Sequence, residues 1–268
     1  MENNRSPLTR VGITGAAGHI GTTLVKGLPP HYTLTLYDRR VVPQDHGRQA
    51  CPVLIDLSDP EEVPGAFNGL DALIHLAADA RPGAPWESVL NNNIIVTYNV
   101  FEESRRAGVR RIIFASTNHV LHGYTMGPNP EALDLSFYTE GRIPATLDLA
   151  PAPDSLYAVS KLFGEDLGRY YARRFGMQFV ALRIGWTVRE DDPSIKRGTP
   201  AEDYMRAMFL SRRDCAAAFT RALEKQMGEG EFLLAFAISN NDRRVFDLEE
   251  TRGRLGFNPL DNAEAYFK

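Results

Sequence analysis

Short apolar runs alternate with longer amphipathic stretches through the first two thirds of the chain. The runs Arg10–Thr14, Tyr32–Tyr37, Pro52–Ile55, Ala72–His75, Arg111–Ala115 and Phe179–Arg183 are bounded by turn residues and predict buried strands. Helical spacing predicts helices at His19–Leu28, Trp86–Ala107 and Asp154–Phe175. Strands alternating with helices imply an α/β fold with a doubly wound parallel sheet. Two segments break the rhythm. Gly127–Asp154 holds five prolines and five acids with weak periodicity, which predicts a surface insertion. After Gly185 come loops, helical stretches at Tyr204–Leu210 and Asp214–Gln226, and a strand at Glu231–Ile238. The expected division is a sheet domain over residues 1–184 and a small capping region over 185–268. No solenoid-length repeat is present.

Composition narrows the class. The chain has 268 residues, 43% of them hydrophobic and 24% charged, as expected of a globular protein. Thirty basic residues against 34 acids leave a net charge of −4, which argues against nucleic-acid or anionic-membrane partners. The polar first ten residues and the lack of a spanning apolar run lead us to expect a cytoplasmic protein. Cys51 and Cys215 form neither a metal-ligand spacing nor a disulfide framework, so no metal is expected.

The first strand runs directly into Thr14-Gly15-Ala16-Ala17-Gly18-His19-Ile20-Gly21, which opens the first helix. Glycines there allow a tight turn and let backbone approach a pyrophosphate seated on the helix N-terminus. Asp38 ends the second strand, about twenty residues on, where a carboxylate can bind ribose hydroxyls. Asp56-Leu57 ends the third strand and could reach an adenine amino group. The sheet is therefore expected to be Rossmann-like and to hold NAD. Arg39 and Arg40 could instead pair with a ribose phosphate or sit solvated in the turn.

Tyr157-Ala158-Val159-Ser160-Lys161 places a phenol and an ammonium four apart on one helix face. A free tyrosine, with a pKa of about 10, is too weakly dissociated at neutral pH to act as a base, and a neighbouring cation favours the phenolate. The third component is a hydroxyl at the end of the fifth strand, within Phe114-Ala115-Ser116-Thr117-Asn118-His119. Tyr157, Lys161 and Thr117 are the expected catalytic residues.

Together these residues resemble the extended short-chain dehydrogenase/reductase superfamily, over nearly the whole chain. The resemblance rests on the glycine turn, Asp38, Asp56, His75-Leu76-Ala77-Ala78, Asn93, the hydroxyl motif and YxxxK. It implies a cofactor site of Gly15, Ala17, Gly18, His19, Ile20, Gly21, Asp38, Asp56, Leu57, Leu76, Ala77, Ala78, Asn93, Tyr157 and Lys161. Asn118-His119 is similar to the uronate dehydrogenases. Asp79–Trp86, Ala207–Ser211 and Ile238–Arg243 are similar to the haloarchaeal type of NAD-dependent glucose-6-phosphate dehydrogenase, and Leu255–Asn262 is similar to both groups. The chain departs from the uronate enzymes in three places. It has Ala80 beside Arg81, and then Trp186, where they carry serines. Their carboxylate-binding arginine aligns near Tyr204, with Arg206 two positions on.

The resemblance implies oxidation of the anomeric carbon of a hexose carrying a phosphate, carboxylate or sulfonate at carbon six. Arg81, Thr117, Asn118, His119, Tyr157, Trp186 and Arg206 are the expected substrate residues. Arg81 could equally pair with Asp79, and Arg183 could reach the pocket or form a buried ion pair. His75, Arg212, Arg213, Cys215 and Glu249-Glu250 read as structural or solvated. A nucleotide-sugar epimerase or dehydratase, and a non-catalytic dinucleotide sensor, are the alternatives. The expected partners are a small anionic sugar and a second copy of the chain.

Overall fold

Side chains alternate along each strand and divide the core into two faces of one sheet. The computed structural model describes residues 7–42, 50–125 and 145–268. Seven parallel strands, β1 (Arg10–Thr14), β2 (Thr33–Asp38), β3 (Ala50–Leu54), β4 (Ala72–His75), β5 (Arg111–Thr117), β6 (Gln178–Ile184) and β7 (Phe232–Ala237), run in the order β3-β2-β1-β4-β5-β6-β7. Val11, Ile13, Ile74, Ile113 and Leu182 face one core. Leu73, Ile112, Phe114, Phe179 and Phe236 face the other. The first core is closed by α1 (His19–Gly27) and the second by α3 (Val96–Arg106) and α4 (Leu156–Phe175), with the short α2 (Trp86–Val89) leading toward α3. The strand order reverses between β1 and β4, which opens a crevice at their carboxyl ends.

Residues beyond 184 do more than cap the sheet. They supply α5 (Glu202–Met208), α6 (Arg212–Glu224), β7 and α7 (Glu249–Leu255). Strand β7 pairs with β6 in register Phe179↔Phe232 through Ile184↔Ala237, and Gly27 of α1 lies against Ala216 of α6. Of the expected insertion Gly127–Asp154, residues 126–144 lie outside the described residues, while Ala145 bridges to Phe246.

The helix predicted as one piece over Trp86–Ala107 is three. Between α2 and α3 the chain widens into a π-helical turn, Leu90–Ile95. Asn92 Nδ2 donates to the Ser88 carbonyl at 3.0 Å, competing with the backbone ladder. The apolar spacing continues through the turn, which is why the pattern does not reveal it.

Helix α4 is seated unusually close to the sheet. A Cβ on Gly164 would lie 2.2 Å from the Phe114 ring, so only glycine lets the helix approach β5 this far. Ser155 caps its start by accepting from Ala158 N, and Gly176 ends it at φ 72°.

Candidate active site

A cleft of about 1010 Å³ lies along the carboxyl ends of β1, β2, β4, β5 and β6. At one end the glycine turn leads into α1. Gly15 has φ 68° and a Cβ there would sit 2.8 Å from Ala77 N, so both the conformation and the contact demand glycine. Gly18 caps α1 without a side-chain acceptor, and no acid stands in the first turn. The first-turn N–H groups and the positive end of the helix are thus left to an external anion, which is what a diphosphate needs. Asp38 reaches the same space, its Oδ2 accepting from Ala17 N at 2.9 Å and its Oδ1 from Arg40 N at 3.0 Å. Asp56 is held by Ser58, whose N–H and hydroxyl keep its carboxyl below the usual range. These residues fit a nicotinamide dinucleotide.

Gly15, Gly18, His19, Ile20, Gly21, Asp38, Asp56, Leu57, Leu76, Ala77 and Ala78 all line the cleft, as sequence placed them. Ala17 and Asn93 do not. Ala17 spends its N–H on Asp38. Asn93 is buried in the π-turn, where it accepts from Asp79 N at 2.8 Å and donates to Ser160 Oγ at 3.0 Å. It ties α4 to the β4 loop rather than facing the crevice. His75 is buried as well, with Nδ1 2.7 Å from Thr14 Oγ1 and Nε2 3.2 Å from Thr97 Oγ1.

The catalytic candidates converge. Thr117, Tyr157 and Lys161 line the cleft together with Asn118, His119 and Trp186. Burial pushes the Tyr157 phenol up to about 12, a hydrogen bond with Thr117 opposes this, and the Asp154 charge adds to it. Burial pushes the Lys161 ammonium down to about 7; Nζ sits 5.0 Å from the Phe114 ring centre and 5.7 Å from that of Tyr157. Desolvation penalises both charged forms and so works against the lowering of the phenol expected from Lys161.

Three wall residues were not singled out from sequence as site residues. Asp154, three residues before Tyr157, places Oδ2 2.7 Å from His119 Nδ1 and 3.1 Å from His122 Nδ1. His122 Nε2 meets the Tyr204 hydroxyl, which also takes the Asn118 amide. The ligand atoms of His119, His122 and Asp154 lie within 4.8 Å of one another, a spacing a metal ion could bridge. Both imidazoles are instead closed onto one carboxylate oxygen by hydrogen bonds. An acid just ahead of the YxxxK helix was the one sequence signal that could have found Asp154. His122 and Tyr204 meet 82 positions apart.

The two arginines expected to bind an anion behave differently. Arg81 is on the cleft rim but is paired with Asp79, Nε to Oδ1 at 2.9 Å and Nη2 to Oδ2 at 2.6 Å. Arg206 does not line the cleft. Its guanidinium is taken by Glu264 and Glu202 and lies 4.5 Å from the Phe267 ring centre. Arg183 forms the buried alternative, an ion pair with Glu165 at 2.9 Å, and Glu165 also accepts from Ser116 Oγ at 2.6 Å.

A glycine turn, a ribose-binding acid and a Tyr/Lys pair at the switch point of this sheet define a dinucleotide-dependent dehydrogenase or epimerase. The chain matches the model of the NAD dependent epimerase/dehydratase family over residues 11–188, and it belongs to that family. It is 37% identical over 262 residues to L-arabinose 1-dehydrogenase (NAD(P)(+)) of Haloferax volcanii, covering 96% of this chain and 98% of that one. NAD-dependent glucose-6-phosphate dehydrogenase of the same organism is 33% identical, with 95% and 94% covered. The solved uronate dehydrogenase of Agrobacterium tumefaciens superimposes with a TM-score of 0.78 at 31% identity, over 97% of this chain and 87% of that chain. The protein is an NAD(P)-dependent enzyme of the extended short-chain dehydrogenase type. Among the described residues, no helix is long and apolar enough to cross a membrane.

Proposed function

We propose that the protein is a sugar dehydrogenase that oxidises the anomeric carbon of a free aldose to the lactone. The observation that carries this reading is the convergence of Tyr157, Thr117 and Lys161 on one wall of the cleft, beside Asn118 and His119. Three relatives of nearly full coverage, named for arabinose, glucose 6-phosphate and uronate, support an aldose as the substrate class.

Bound NAD supplies the electron-pair acceptor at carbon one and the positive charge that favours a phenolate beside it. Thr117 orients the anomeric hydroxyl, and Tyr157 takes its proton. Lys161, buried on the same helix face, holds the phenol and the cofactor ribose in register. Loss of the hydroxyl proton and of two electrons with the remaining C1 hydrogen leaves a C=O, which in a cyclic hemiacetal is a lactone.

An anionic carbon six was expected from the resemblance, with Arg81 and Arg206 as its candidate ligands. Because Arg206 is turned onto Glu264 and Arg81 is paired with Asp79, we take a neutral aldose as the first reading and an anionic aldose as the second. NADH formation should be followed with L-arabinose, glucose, glucose 6-phosphate, glucuronate, galacturonate and sulfoquinovose, with the lactone trapped chemically. Lactone from at least one of these is expected. A nucleotide sugar turned over without NADH release would instead make the protein an epimerase.

A further inference from the structure

The polar row Asp154–His122–Tyr204–Asn118 has its direction fixed from one end. An ionised carboxylate only accepts hydrogen bonds, and its hydrogen bonds with His119, His122 and Ser155 hold the Asp154 carboxyl well below the usual range despite burial. His122 Nδ1, 3.1 Å from Asp154 Oδ2, must therefore carry the ring proton. A neutral imidazole has one such proton, so Nε2 is an acceptor. Burial keeps His122 neutral, pushing it down to about 4. The hydroxyl that meets Nε2 is that of Tyr204, which gives its single proton there. Asn118 Nδ2 then donates to the Tyr204 oxygen, and its Oδ1 accepts from Thr117 Oγ1 at 3.3 Å. From Asn118 onward, each proton in the row points toward Asp154.

We propose that Tyr204 is a specificity-determining residue: with its proton committed to His122, its oxygen can meet a substrate only as an acceptor, so this wall selects a sugar hydroxyl over a phosphate, carboxylate or sulfonate. The inference rests on the reading of the cleft as an aldose-oxidising site. His119 works in the same sense. Its Nδ1 is 2.7 Å from the same Asp154 oxygen, so its Nδ1 proton also points toward Asp154. Both Tyr204 and His119 line the cleft. A sugar hydroxyl has a proton for the Tyr204 oxygen; an ionised group there meets lone pairs with the buried Asp154 charge behind them.

The test is Asp154→Asn, which preserves shape and reverses polarity. The amide nitrogen so introduced donates to the two imidazole Nδ1 atoms, which moves each ring proton to Nε2. His122 then donates to Tyr204, whose own proton is released toward the cleft. The readout is the ratio of kcat/KM for glucose to that for glucose 6-phosphate and for glucuronate. A ratio cancels any common effect of Asp154 on the Tyr157 base. Wild-type enzyme should favour the neutral sugar, and Asp154→Asn should lower the ratio about ten- to a hundredfold, the size of one charge-assisted hydrogen bond. A wild-type preference for the anionic sugars with a ratio unmoved by the substitution overturns the proposal while leaving aldose oxidation intact.

Binding to the NAD-loaded enzyme separates the two ideas. Trp186 lies 5.6 Å from Tyr204, ring centre to ring centre, so its fluorescence reports occupancy of this wall. If no sugar gives a lactone yet neutral sugars alone change the fluorescence, the oxidation reading fails and the selectivity stands. If no sugar changes it, the proposal fails. Should Asp154→Asn not fold, Tyr204→Phe provides the second variant. It should raise KM for neutral aldoses about two- to tenfold and leave anionic ones no worse; an equal rise on both overturns the proposal.

Discussion

The guanidinium of Arg206 is closed onto the carboxylate of Glu264, with Nε donating to Oε1 at 2.8 Å. Glu202 holds its other edge at 2.8 Å, and these hydrogen bonds hold the guanidinium well above its ordinary value. Arg206→Ala should therefore act on stability rather than on substrate choice. The unfolding midpoint is expected to fall by a few degrees. The ratio of kcat/KM between glucose and glucose 6-phosphate should stay within about threefold of wild type, a change worth less than one hydrogen bond. A selective loss on the phosphate alone would return Arg206 to the substrate site.

Tyr157→Phe removes one oxygen from a buried wall and leaves the ring in place. Turnover should drop about 10²- to 10⁴-fold, the range of a lost general base. NAD affinity, measured by titration calorimetry, should remain near wild type, because the groups expected to hold the phosphates and riboses, at the start of α1, Asp38 and Lys161, are left in place. Turnover within a few-fold of wild type would assign the proton to another group.

If Asp38 is the ribose-binding acid, cofactor choice turns on it. A 2′-phosphate beside its carboxylate would add like charge, and the carboxylate also holds Arg40, Nε to Oδ1 at 3.5 Å. Asp38→Ala removes the repulsion and releases an arginine together. Use of NADP relative to NAD should rise at least about tenfold, as expected for gaining one charge-assisted contact. Steady-state kinetics with both cofactors decides this, and a wild type that already prefers NADP would shift the role to Arg39 or Arg40.

Acid should weaken the fold before its carboxylates titrate. His75 and His122 are pushed down to about 3 and about 4 by burial, from 6.5. Below the unfolded value the unfolded chain takes up protons that these buried rings refuse. Stability is thus intact above about pH 6.5 and falls as pH drops toward the folded values, by up to about 1.4 kcal/mol per pH unit for each ring. His19, also lowered by burial, adds in the same direction. Asp71, Asp79 and Asp154 are all lowered, so the stability they add is fully present above the ordinary carboxylate range and is lost as pH falls through and below it. Urea unfolding from pH 7 to 4 should show this slope, and His75→Gln should flatten it.

The strands and the cofactor end of the cleft were legible because they depend on local chemistry. A glycine forced to φ 68° and an acid at a strand end announce themselves in the residues next to them. Of the residues expected at the sugar end, Thr117, Asn118, His119, Tyr157, Trp186 and Arg81 do line the cleft. Tyr204 and His122 acquire their roles by meeting across 82 positions, which no periodicity encodes. Arg206 was misplaced for the same reason: its partner Glu264 lies 58 positions away and competes for the charge that a substrate was expected to use. Asn93 was recognised as a site residue, but its work is done through Ser160 and Asp79, behind the surface the ligand touches.

That position of Asn93 depends on the one wide turn in the helix that carries it, Leu90–Ile95. Such a turn amounts to an α-helix with a single residue added, and each added residue rotates the downstream half of the helix by about 100°. Removing one residue between Leu90 and Ile95 would restore a regular helix while turning one half of it against the other. Val96 and Val100, which close the core, and Asn93, which fastens the catalytic helix, could no longer both face inward. The length of this segment is therefore constrained more tightly than its composition: a changed side chain here leaves the helix faces where they are, but a gap of one residue would turn the core-facing side away from Asn93.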